Sequence, residues 1–581
     1  MTVQTSQTGK KKEKFFDFSH LTGDFYGGLT AGIVALPLGL AFGAGVFPHD
    51  EQLGATAGLW GAIIVGFFAA AFGGTKTQIS GPTGPMVVVF AGLLASLTAA
   101  LGAANPNVES IDIIKMAIPL LFGAVILGGV LQIGMGVLRL GKYIKLVPYP
   151  VISGFMSGIG VIIILLQFSR LFGGKPDGGT VFQALEAIPV AMANTNFIAL
   201  LLGVLTLAIV FLWPKKIGKY LPSTLAALII ATLVGLVVPG APLLGEIKAG
   251  IPSFIMPTFS TSTILLVVEA AIVLAILGAI DSLLTSLVAD NVTRTRHDSD
   301  QELIGQGIGN TIAGFFGALP GAGATMRTMV NIRTGGVTKL SGMIHGLALA
   351  AIVLVAAPLA AKIPNAVLAG ILVKVGLDII DFKYIKTAFK GPRWDFFLMM
   401  LVLLMTVFVN LIIAVGVGVF LAALGFVKRV GDDQINAVAQ TIPARASDEE
   451  RTLIEGSNGA VTMFDFGSPL SFGAAADLGH HVRQHMNAGS SAIVLDFSRM
   501  TFVDVSAAHA IETIATDAED VGKLVYAAGM NETVISKLKG LDVYKALPAD
   551  HIFDDRTEAL KAAVKATKSM RATMGKTAEP A

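Results

Sequence analysis

The chain has 581 residues, of which 53% are hydrophobic and 14% are charged, and its formal net charge is +2 at pH 7. Soluble domains carry about 25% charged residues, so this composition excludes a purely water-soluble protein and indicates an integral membrane protein. The absence of cysteine excludes disulfides, thiolate metal sites and cysteine nucleophiles. Without a concentrated basic face, we expect no nucleic-acid partner.

Residues 1–22 are predicted to form a cytosolic N-terminal segment. This segment carries a lysine cluster at Lys10, Lys11, Lys12 and Lys14. It lacks the apolar stretch and the small-residue cleavage site of a secretory signal peptide. We therefore expect it to lie on the cytosolic side of the membrane.

Apolar segments recur between residues 23 and 430, which we predict to form one transmembrane anion transport domain. A helix needs about 20 apolar residues to cross a hydrocarbon core of roughly 30 Å, and we count about fourteen segments, two of them too short to cross alone. The segments lie near residues 25–43, 55–72, 83–101, 117–138, 147–170, 196–213, 222–239, 264–289, 303–317, 326–333, 341–358, 364–380, 395–410 and 412–427. The sequence thus predicts a polytopic α-helical membrane protein surrounded by lipid.

Lysine and arginine residues collect in every second loop between these segments. Cytosolic loops are enriched in such residues, so the pattern indicates the orientation of the domain. The basic loop residues are Arg139, Lys142, Lys145, Lys215, Lys216, Lys219, Arg294, Arg296, Arg333, Lys339, Lys383, Lys386, Lys390, Arg393, Lys428 and Arg429. The intervening loops hold acidic residues such as Asp50, Glu51, Glu109 and Asp112. We therefore expect a multi-pass protein of the cell inner (plasma) membrane with both termini in the cytoplasm.

Two of the segments begin with an unusual run of glycine and proline. The third follows Ser80-Gly-Pro-Thr-Gly-Pro-Met86, and the tenth follows Pro320-Gly-Ala-Gly-Ala-Thr-Met326. Paired interruptions at corresponding places in the two halves of a transporter indicate broken helices that build a substrate site near the membrane midplane. Alternatively, glycine and proline only help these helices to pack or to kink.

Between residues 431 and 570 the composition changes to that of a soluble α/β domain. Alternating apolar residues at 460–466 and 492–497 predict two strands. Helical patterns lie near residues 471–487, 505–519 and 556–569. The remaining residues, 571–581, are predicted to be a disordered tail.

Several of these stretches resemble the SulP anion permease family. Ala57-Gly-Leu-Trp-Gly61 and Gly74-Thr-Lys-Thr-Gln-Ile-Ser-Gly-Pro82 look like the family signature near the second and third helices. Arg327-Thr-Met-Val-Asn331 is similar to the tenth-helix motif. In the soluble domain, Val494-Leu-Asp-Phe-Ser498 and Phe502-Val-Asp-Val-Ser-Ala507 resemble a STAS domain.

The resemblance covers nearly the whole chain. It implies a 7+7 inverted repeat with core and gate subdomains, a cytoplasmic STAS domain, and a homodimer held partly through that domain. Within the family, Ala35-Leu-Pro-Leu-Gly-Leu-Ala-Phe42 and Gly278-Ala-Ile-Asp281 are similar to the cyanobacterial bicarbonate transporters. The resemblance therefore implies a sodium-dependent bicarbonate symporter that works by an elevator-like movement of the core against the gate.

On this resemblance, Thr83, Gly84 and Ala324 bind bicarbonate. The facing N-termini of two half-helices would aim unpaired N–H groups and positive dipole ends at one point, which favours an anion. Thr83 can donate from its hydroxyl, whereas Ala324 offers only its backbone amide. Alternatively, Thr83 is a helix N-cap that serves its own backbone, although a cap and a ligand contact can coexist.

Asp281 lies deep in the eighth span, where an ionisable side chain is a candidate functional residue. Thr285 follows at i+4, so both side chains face the same way. The resemblance implies a sodium ion bound through hard oxygen donors by Asp281, Thr285, Gly323 and Thr325. Sodium would be the coupling ion of transport, and we expect no further cofactor. Many relatives associated with protons have glutamate at this position, so the aspartate favours sodium. A proton on the same carboxylate, or a purely structural hydrogen bond, are the alternatives.

Three further groups are open to more than one interpretation. Arg327 either adds positive potential to the site, snorkels to the interface or pairs with Asp290. We expect Asp290 itself to form a solvated salt bridge near the inner membrane face. The histidines without metal-ligand companions are predicted to be surface residues: His297, His480 and His481.

Ser506 is a possible phosphorylation site in the soluble domain. It falls where antagonist-type STAS proteins carry a phosphorylated serine, and Asp504 precedes it by two residues. A phosphate would add about −1.5 to −2 charge at a helix N-terminus. Alternatively, Ser506 is an ordinary N-cap.

The family also includes proton-coupled sulfate or dicarboxylate permeases, and residue chemistry alone does not separate these from a bicarbonate symporter. A channel or a sensor with a permease-like body is a third option, which saturable, ion-dependent uptake would argue against. The sequence contains no nucleophile–base pair, phosphate loop with lysine or metal cluster, so we expect no enzymatic activity.

Overall fold

The computed structural model divides the chain into two compact units, with the boundary between Val419 and Phe420. It describes residues 17–47, 50–144, 147–174, 181–214, 216–219, 221–245, 250, 252–257, 263–409, 411–438, 446–466, 475, 482, 490–547 and 549–576. The predicted helix near 471–487 therefore lies almost entirely outside the described residues.

The first unit is helical apart from two very short strands. In chain order its elements are α1 (Leu21–Val46), α2 (Glu51–Phe72), β1 (Ser80–Gly81), α3 (Gly84–Ala104), α4 (Ser110–Val137), α5 (Gly141–Ile144), α6 (Tyr149–Leu171), α7 (Val181–Ala193), α8 (Phe197–Leu212), α9 (Ser223–Val237), α10 (Ile264–Thr293), α11 (Ser299–Phe315), β2 (Ala322–Gly323), α12 (Thr325–Arg333), α13 (Lys339–Ala360), α14 (Asn365–Ile379), α15 (Phe382–Ala388), α16 (Arg393–Phe408) and α17 (Leu411–Val438), which contains the unit boundary.

Each predicted apolar segment coincides with one of these helices, which confirms a polytopic helical membrane protein. Among the described residues, seven helices are long and apolar enough to cross a membrane, or eight if α7 and α8, bent by 117° at their junction, count as one span. The count of fourteen spans stays a prediction. The sequence predicts no span at α7, because Glu186 and Pro189 interrupt its apolar run.

Glycines allow several of these helices to approach each other closely. Between α4 and α11, a methyl group added to Gly307 would lie 2.5 Å from the Gly129 carbonyl oxygen. Between α6 and α14, a methyl group on Gly160 would lie 2.5 Å from the Gly376 carbonyl oxygen. Such contacts suit a membrane, where small residues let helix backbones pack directly.

Inside the helical unit, β1 and β2 form an antiparallel pair. Ser80 lies opposite Gly323 and Gly81 lies opposite Ala322. We call residues 79–84 and 320–325 the crossover. Strand β1 is followed by the start of α3 and strand β2 by the start of α12, so the N-termini of both helices lie at the crossover.

The second unit is an α/β domain around a four-stranded parallel sheet of order β3-β4-β5-β6. Its elements are α18 (Asp448–Gly456), β3 (Val461–Asp465), β4 (Ala492–Asp496), α19 (Val505–Asp520), β5 (Leu524–Ala528), α20 (Glu532–Gly540), β6 (Ile552–Phe553) and α21 (Arg556–Lys576).

Strand residues of this sheet alternate between two buried faces. Phe464 and Leu495 pack with α19 and α20, whereas Met463 and Val494 pack with α18 and α21. The two predicted strands and the helix near 505–519 are confirmed. Strands β5 and β6 are not among the predictions: β5 is a short apolar run, which periodicity alone does not distinguish from a buried helix, and β6 has only two residues.

The C-terminal tail differs from its prediction. Helix α21 continues to Lys576, whereas the sequence analysis places a disordered tail from residue 571. The added residues include arginine, alanine and methionine, which favour helix, so the helical pattern does not stop at Met570. Residues 577–581 lie outside the described part of the chain.

Candidate functional site

The crossover brings the predicted site residues of the two helix breaks together. Ala324 donates its backbone N–H to the Ile79 carbonyl oxygen at 2.8 Å. Arg327 Nη2 donates to the Pro82 carbonyl oxygen at 2.7 Å, which ties the first turn of α12 to the residue before Thr83. Helix α10, which carries Asp281, packs against both α3 and α12.

The bond from Ala324 corrects one prediction. The family resemblance assigns the Ala324 amide to the anion, but that N–H already donates to the Ile79 carbonyl oxygen beside the strand pair. The first turn of a helix leaves its N–H groups without intrahelical acceptors, so the free donors of α12 begin at Thr325. Ala324 lines the site, but its own N–H is not a free donor.

At the other break, the Thr83 side chain has a hydroxyl group that none of the described residues binds. Thr83 is the N-cap of α3, but its hydroxyl makes no capping hydrogen bond, so the interpretation of this side chain as a cap is wrong. Its Oγ1 is buried and has no hydrogen-bond partner among the described residues. The next residue, Gly84, is buried, and Pro85 has no N–H to offer. The donors at this end are therefore the Thr83 hydroxyl with the backbone N–H groups of Gly84 and Met86.

Asp281 is partly buried and lies between the two breaks. Its Oδ2 is enclosed and has no hydrogen-bond partner in the described part of the chain, which contradicts a purely structural hydrogen bond from that atom. The carboxylate interacts electrostatically with the Thr83 hydroxyl and with the Arg327 guanidinium, although the Thr83 hydroxyl does not reach hydrogen-bond geometry. An enclosed carboxylate oxygen without a hydrogen-bond partner is energetically costly unless a cation or a proton neutralises the carboxylate.

The other predicted sodium ligands form a connected group. Thr285 Oγ1 donates to the Gly323 carbonyl oxygen at 3.0 Å and lies 2.8 Å from Thr325 Oγ1. The Gly323 N–H donates to Ser282 Oγ at 3.0 Å, which fixes the strand against α10. Asp281 precedes Thr285 by one turn on the same face of α10. Hydroxyl, carbonyl and carboxylate oxygens are the hard donors that suit an alkali cation.

Arg327 is a buried structural cation. Its side chain is 3% exposed, faces Asp281 and donates to Pro82. Its burial beside Asp281 supports the prediction that Arg327 adds positive potential to the site. The same burial excludes the prediction that the guanidinium snorkels to the membrane interface. The alternative pairing with Asp290 is wrong, because Asp290 accepts a hydrogen bond from the His297 backbone and lies 2.6 Å from His297 Nδ1.

The same contact corrects the prediction for His297. Its side chain is 2% exposed, and Nε2 lies 2.9 Å from Ser299 Oγ. His297 is therefore a buried partner of Asp290 and not a surface residue. His480 and His481 lie outside the described residues.

A buried carboxylate, Glu302, lies next to the crossover and is not among the residues predicted from the sequence. Glu302 is 1% exposed and accepts four hydrogen bonds, from the backbone N–H groups of Gly74 and Thr75 and from the side-chain amides of Gln78 and Gln306, at 2.8 to 2.9 Å. These bonds hold the chain between α2 and β1 against α11.

The polar face of α11 continues from Glu302 along the helix. Gln306 Nε2 also donates to Ser80 Oγ at 2.6 Å. Asn310 Nδ2 donates to the Gly321 carbonyl oxygen at 2.9 Å, and the Gly321 N–H returns a bond to Asn310 Oδ1 at 2.8 Å. Both strands are thus fastened to one helix face. The available signal was the i, i+4, i+8 spacing of three polar residues, of which Glu302 directly precedes the predicted apolar segment 303–317 and the other two lie within it.

In the second unit, Ser506 is exposed at the second position of α19. The N-cap is Asp504, whose Oδ1 accepts from the Ala507 N–H at 2.8 Å. The alternative in which Ser506 is the N-cap is therefore wrong.

Comparison with known proteins agrees with this architecture. Residues 21–402 match the sulfate permease family and residues 453–559 match the STAS domain. The bicarbonate transporter BicA of Synechocystis is 43% identical over 94% of this chain and 95% of its own. The solved transmembrane domain of a cyanobacterial BicA is 46% identical, covers 69% of this chain and 98% of its own, and superposes with a TM-score of 0.63.

The full-length fold is also known. The structure of SLC26A9 matches over 96% of this chain and 92% of its own with a TM-score of 0.77, at 18% identity. These relatives are transporters and not enzymes. The chain belongs to the sulfate permease (SulP) family of membrane transporters, with a C-terminal STAS domain.

Proposed function

We propose that the chain is a sodium-dependent bicarbonate symporter. The proposal rests on two buried polar groups at the crossover that have no hydrogen-bond partner among the described residues. They are the Thr83 hydroxyl at the start of α3 and Asp281 Oδ2 beside the start of α12. The first lies among uncapped helix N–H groups, which favour an anion. The second lies beside oxygen donors, which favour a cation. The similarity to the Synechocystis bicarbonate transporter supports bicarbonate as the anion.

In this proposal Thr83 and Gly84 hold the anion at the start of α3, and Ala324 lines the facing side. Asp281, Thr285, Gly323 and Thr325 hold sodium. Arg327 fixes the crossover and balances the Asp281 charge while sodium is absent. With both ions bound, sodium offsets the charge of the anion, so the loaded site moves without adding net charge to the low-dielectric interior.

The transport cycle and the assembly are part of the same proposal. Two half-helices that start at the crossover support an inverted repeat whose core subdomain moves like an elevator against the gate. The basic loops support cytoplasmic termini in the inner (plasma) membrane. We further propose a homodimer held partly by the STAS domain, with the exposed Ser506 as a phosphorylation site.

The second candidate is a proton-coupled sulfate or dicarboxylate permease. Two observations favour it: the family is named for sulfate, and a proton on Asp281 would neutralise the carboxylate as well as sodium does. In that case sulfate uptake would follow an inward proton gradient and would not need sodium.

Uptake into proteoliposomes distinguishes the two candidates. Labelled bicarbonate and labelled sulfate are each supplied with a sodium gradient, with a proton gradient, and with neither. We expect saturable bicarbonate uptake that requires sodium. Sulfate uptake driven by protons alone would replace the first candidate with the second, and linear uptake without saturation would indicate a channel.

A further inference from the structure

Three isoleucines of α6 and α14 face the start of α3, and we call Ile159, Ile163 and Ile379 the isoleucine wall. A methyl group added to Gly84 would lie 2.6 Å from Ile379 Cδ1 and 2.9 Å from Ile163 Cδ1, with Ile159 Cγ2 at 3.9 Å. These side chains therefore stand directly beside the backbone that, in the proposed function, holds the anion. Helix α3 packs against both α6 and α14.

The α6 side of this wall cannot easily withdraw from Gly84. Ile159 is fully buried and Ile163 is 5% exposed, whereas Ile379, the last residue of α14, is partly exposed. Their helices are in backbone contact, because a methyl group on Gly160 would lie 2.5 Å from the Gly376 carbonyl oxygen. A larger anion would have to separate two closely packed helices, and packed interiors resist such changes.

The chemistry of the wall also discriminates between anions. Isoleucine offers no hydrogen-bond donor, so on this side an anion loses water without replacement. A small planar monoanion can direct its oxygens towards Thr83 and the first turn of α3 and turn its thinner face to the wall. A tetrahedral dianion has no thin face and carries more charge to desolvate, so it suffers more from the same wall.

We propose that Ile163 and Ile379 are specificity-determining residues, which set the upper size of the transported anion. This inference rests on the proposed function, because it takes the start of α3 as the anion site. It adds that selection against sulfate comes from the helices facing the crossover and not only from the donors within it.

The test shortens the wall and measures selectivity. Ile163→Ala, Ile379→Ala and the double variant are reconstituted, and unlabelled sulfate competes with labelled bicarbonate uptake. We expect sulfate to compete at least roughly tenfold better in the double variant than in the wild type, the scale of discrimination by a few methylene groups in an apolar pocket. Ile152→Ala is the matched control, since it shortens an isoleucine on the same helix about 16 Å away from Ile163.

The outcomes separate this inference from the proposed function. If the wild type takes up bicarbonate and the double variant keeps its selectivity, the inference is overturned and the function stands. If the wild type takes up no bicarbonate, the proposed function has failed first. Should the alanine variants not fold, judged by size-exclusion profile, Ile163→Val and Ile379→Val carry the same test, and unchanged competition in them overturns the inference.

Discussion

The two helix breaks are built alike but leave different groups open. At the start of α3, the Thr83 hydroxyl has no hydrogen-bond partner among the described residues, and the adjacent residue is a glycine packed against isoleucine side chains. At the start of α12, the Thr325 hydroxyl lies 2.8 Å from that of Thr285. Both breaks leave backbone N–H donors in the first turn of a helix, but only the second gathers hydroxyl and carbonyl oxygens around them. In the proposed function, two breaks with similar backbones would therefore bind ions of opposite charge, and the side chains of the first turn would decide between them.

Neutralising Asp281 should have the largest effect of any single substitution at the two helix breaks. Asp281→Asn should abolish sodium-driven uptake while leaving the protein folded, because a neutral amide cannot balance a desolvated cation. Uptake with and without a sodium gradient measures the effect. The exposed Asp112→Asn is the control, and a variant at Asp281 that retained full sodium dependence would remove this residue from the cation site.

Removing the cation that links the breaks should be nearly as severe. Arg327→Gln removes the guanidinium that faces Asp281 and donates to the Pro82 carbonyl oxygen, and we expect a loss of about 1–3 kcal/mol in the free energy of unfolding. Thermal unfolding in detergent measures it. Adding Asp281→Asn to this variant should recover part of the loss, since the unpaired charge disappears. Equal instability in the double variant would show that the Pro82 hydrogen bond, and not the charge, is what matters.

A change behind both breaks should affect them equally. Glu302→Gln replaces one of the accepting carboxylate oxygens with an amide donor that faces other donors, which should cost about 1–3 kcal/mol of stability. We expect sodium and bicarbonate affinities to fall by similar factors. Binding of each ion to the purified variant checks this, with the exposed Glu269→Gln as the control. A loss confined to one ion would mean that the carboxylate belongs to that ion's site.

The smallest expected effects separate the two breaks most clearly. Thr83→Val should weaken anion binding by roughly tenfold, the value of one hydrogen bond of about 1.4 kcal/mol to a charged group. Thr325→Val should instead weaken sodium binding by a similar factor. Each variant serves as the control for the other in equilibrium binding of both ions. If the two variants gave the same pattern, the ions would not be divided between the breaks in this way.

The sequence was sufficient to locate the breaks and their helices. Runs such as Gly81-Pro-Thr-Gly-Pro85 cannot continue a helix, and apolar length marks the surrounding spans. The sequence could not show that the Ala324 N–H donates to the Ile79 carbonyl oxygen, because a two-residue strand has no detectable hydrophobic period. Glu302 was missed for a different reason. It follows Asp298 and Asp300 at the start of α11, where acidic residues ordinarily complement the helix dipole.

The hydrogen bond from Arg327 to Pro82 joins the starts of α3 and α12, so the two proposed ion sites would move together. A helix start that moves with its bound anion carries the other helix start, and any bound cation, along with it. Leakage of one ion without the other would require this bond and the β1–β2 pairing to give way first. The ratio of the two transported ions would then depend on the stability of the β1–β2 pairing as well as on the affinity for each ion.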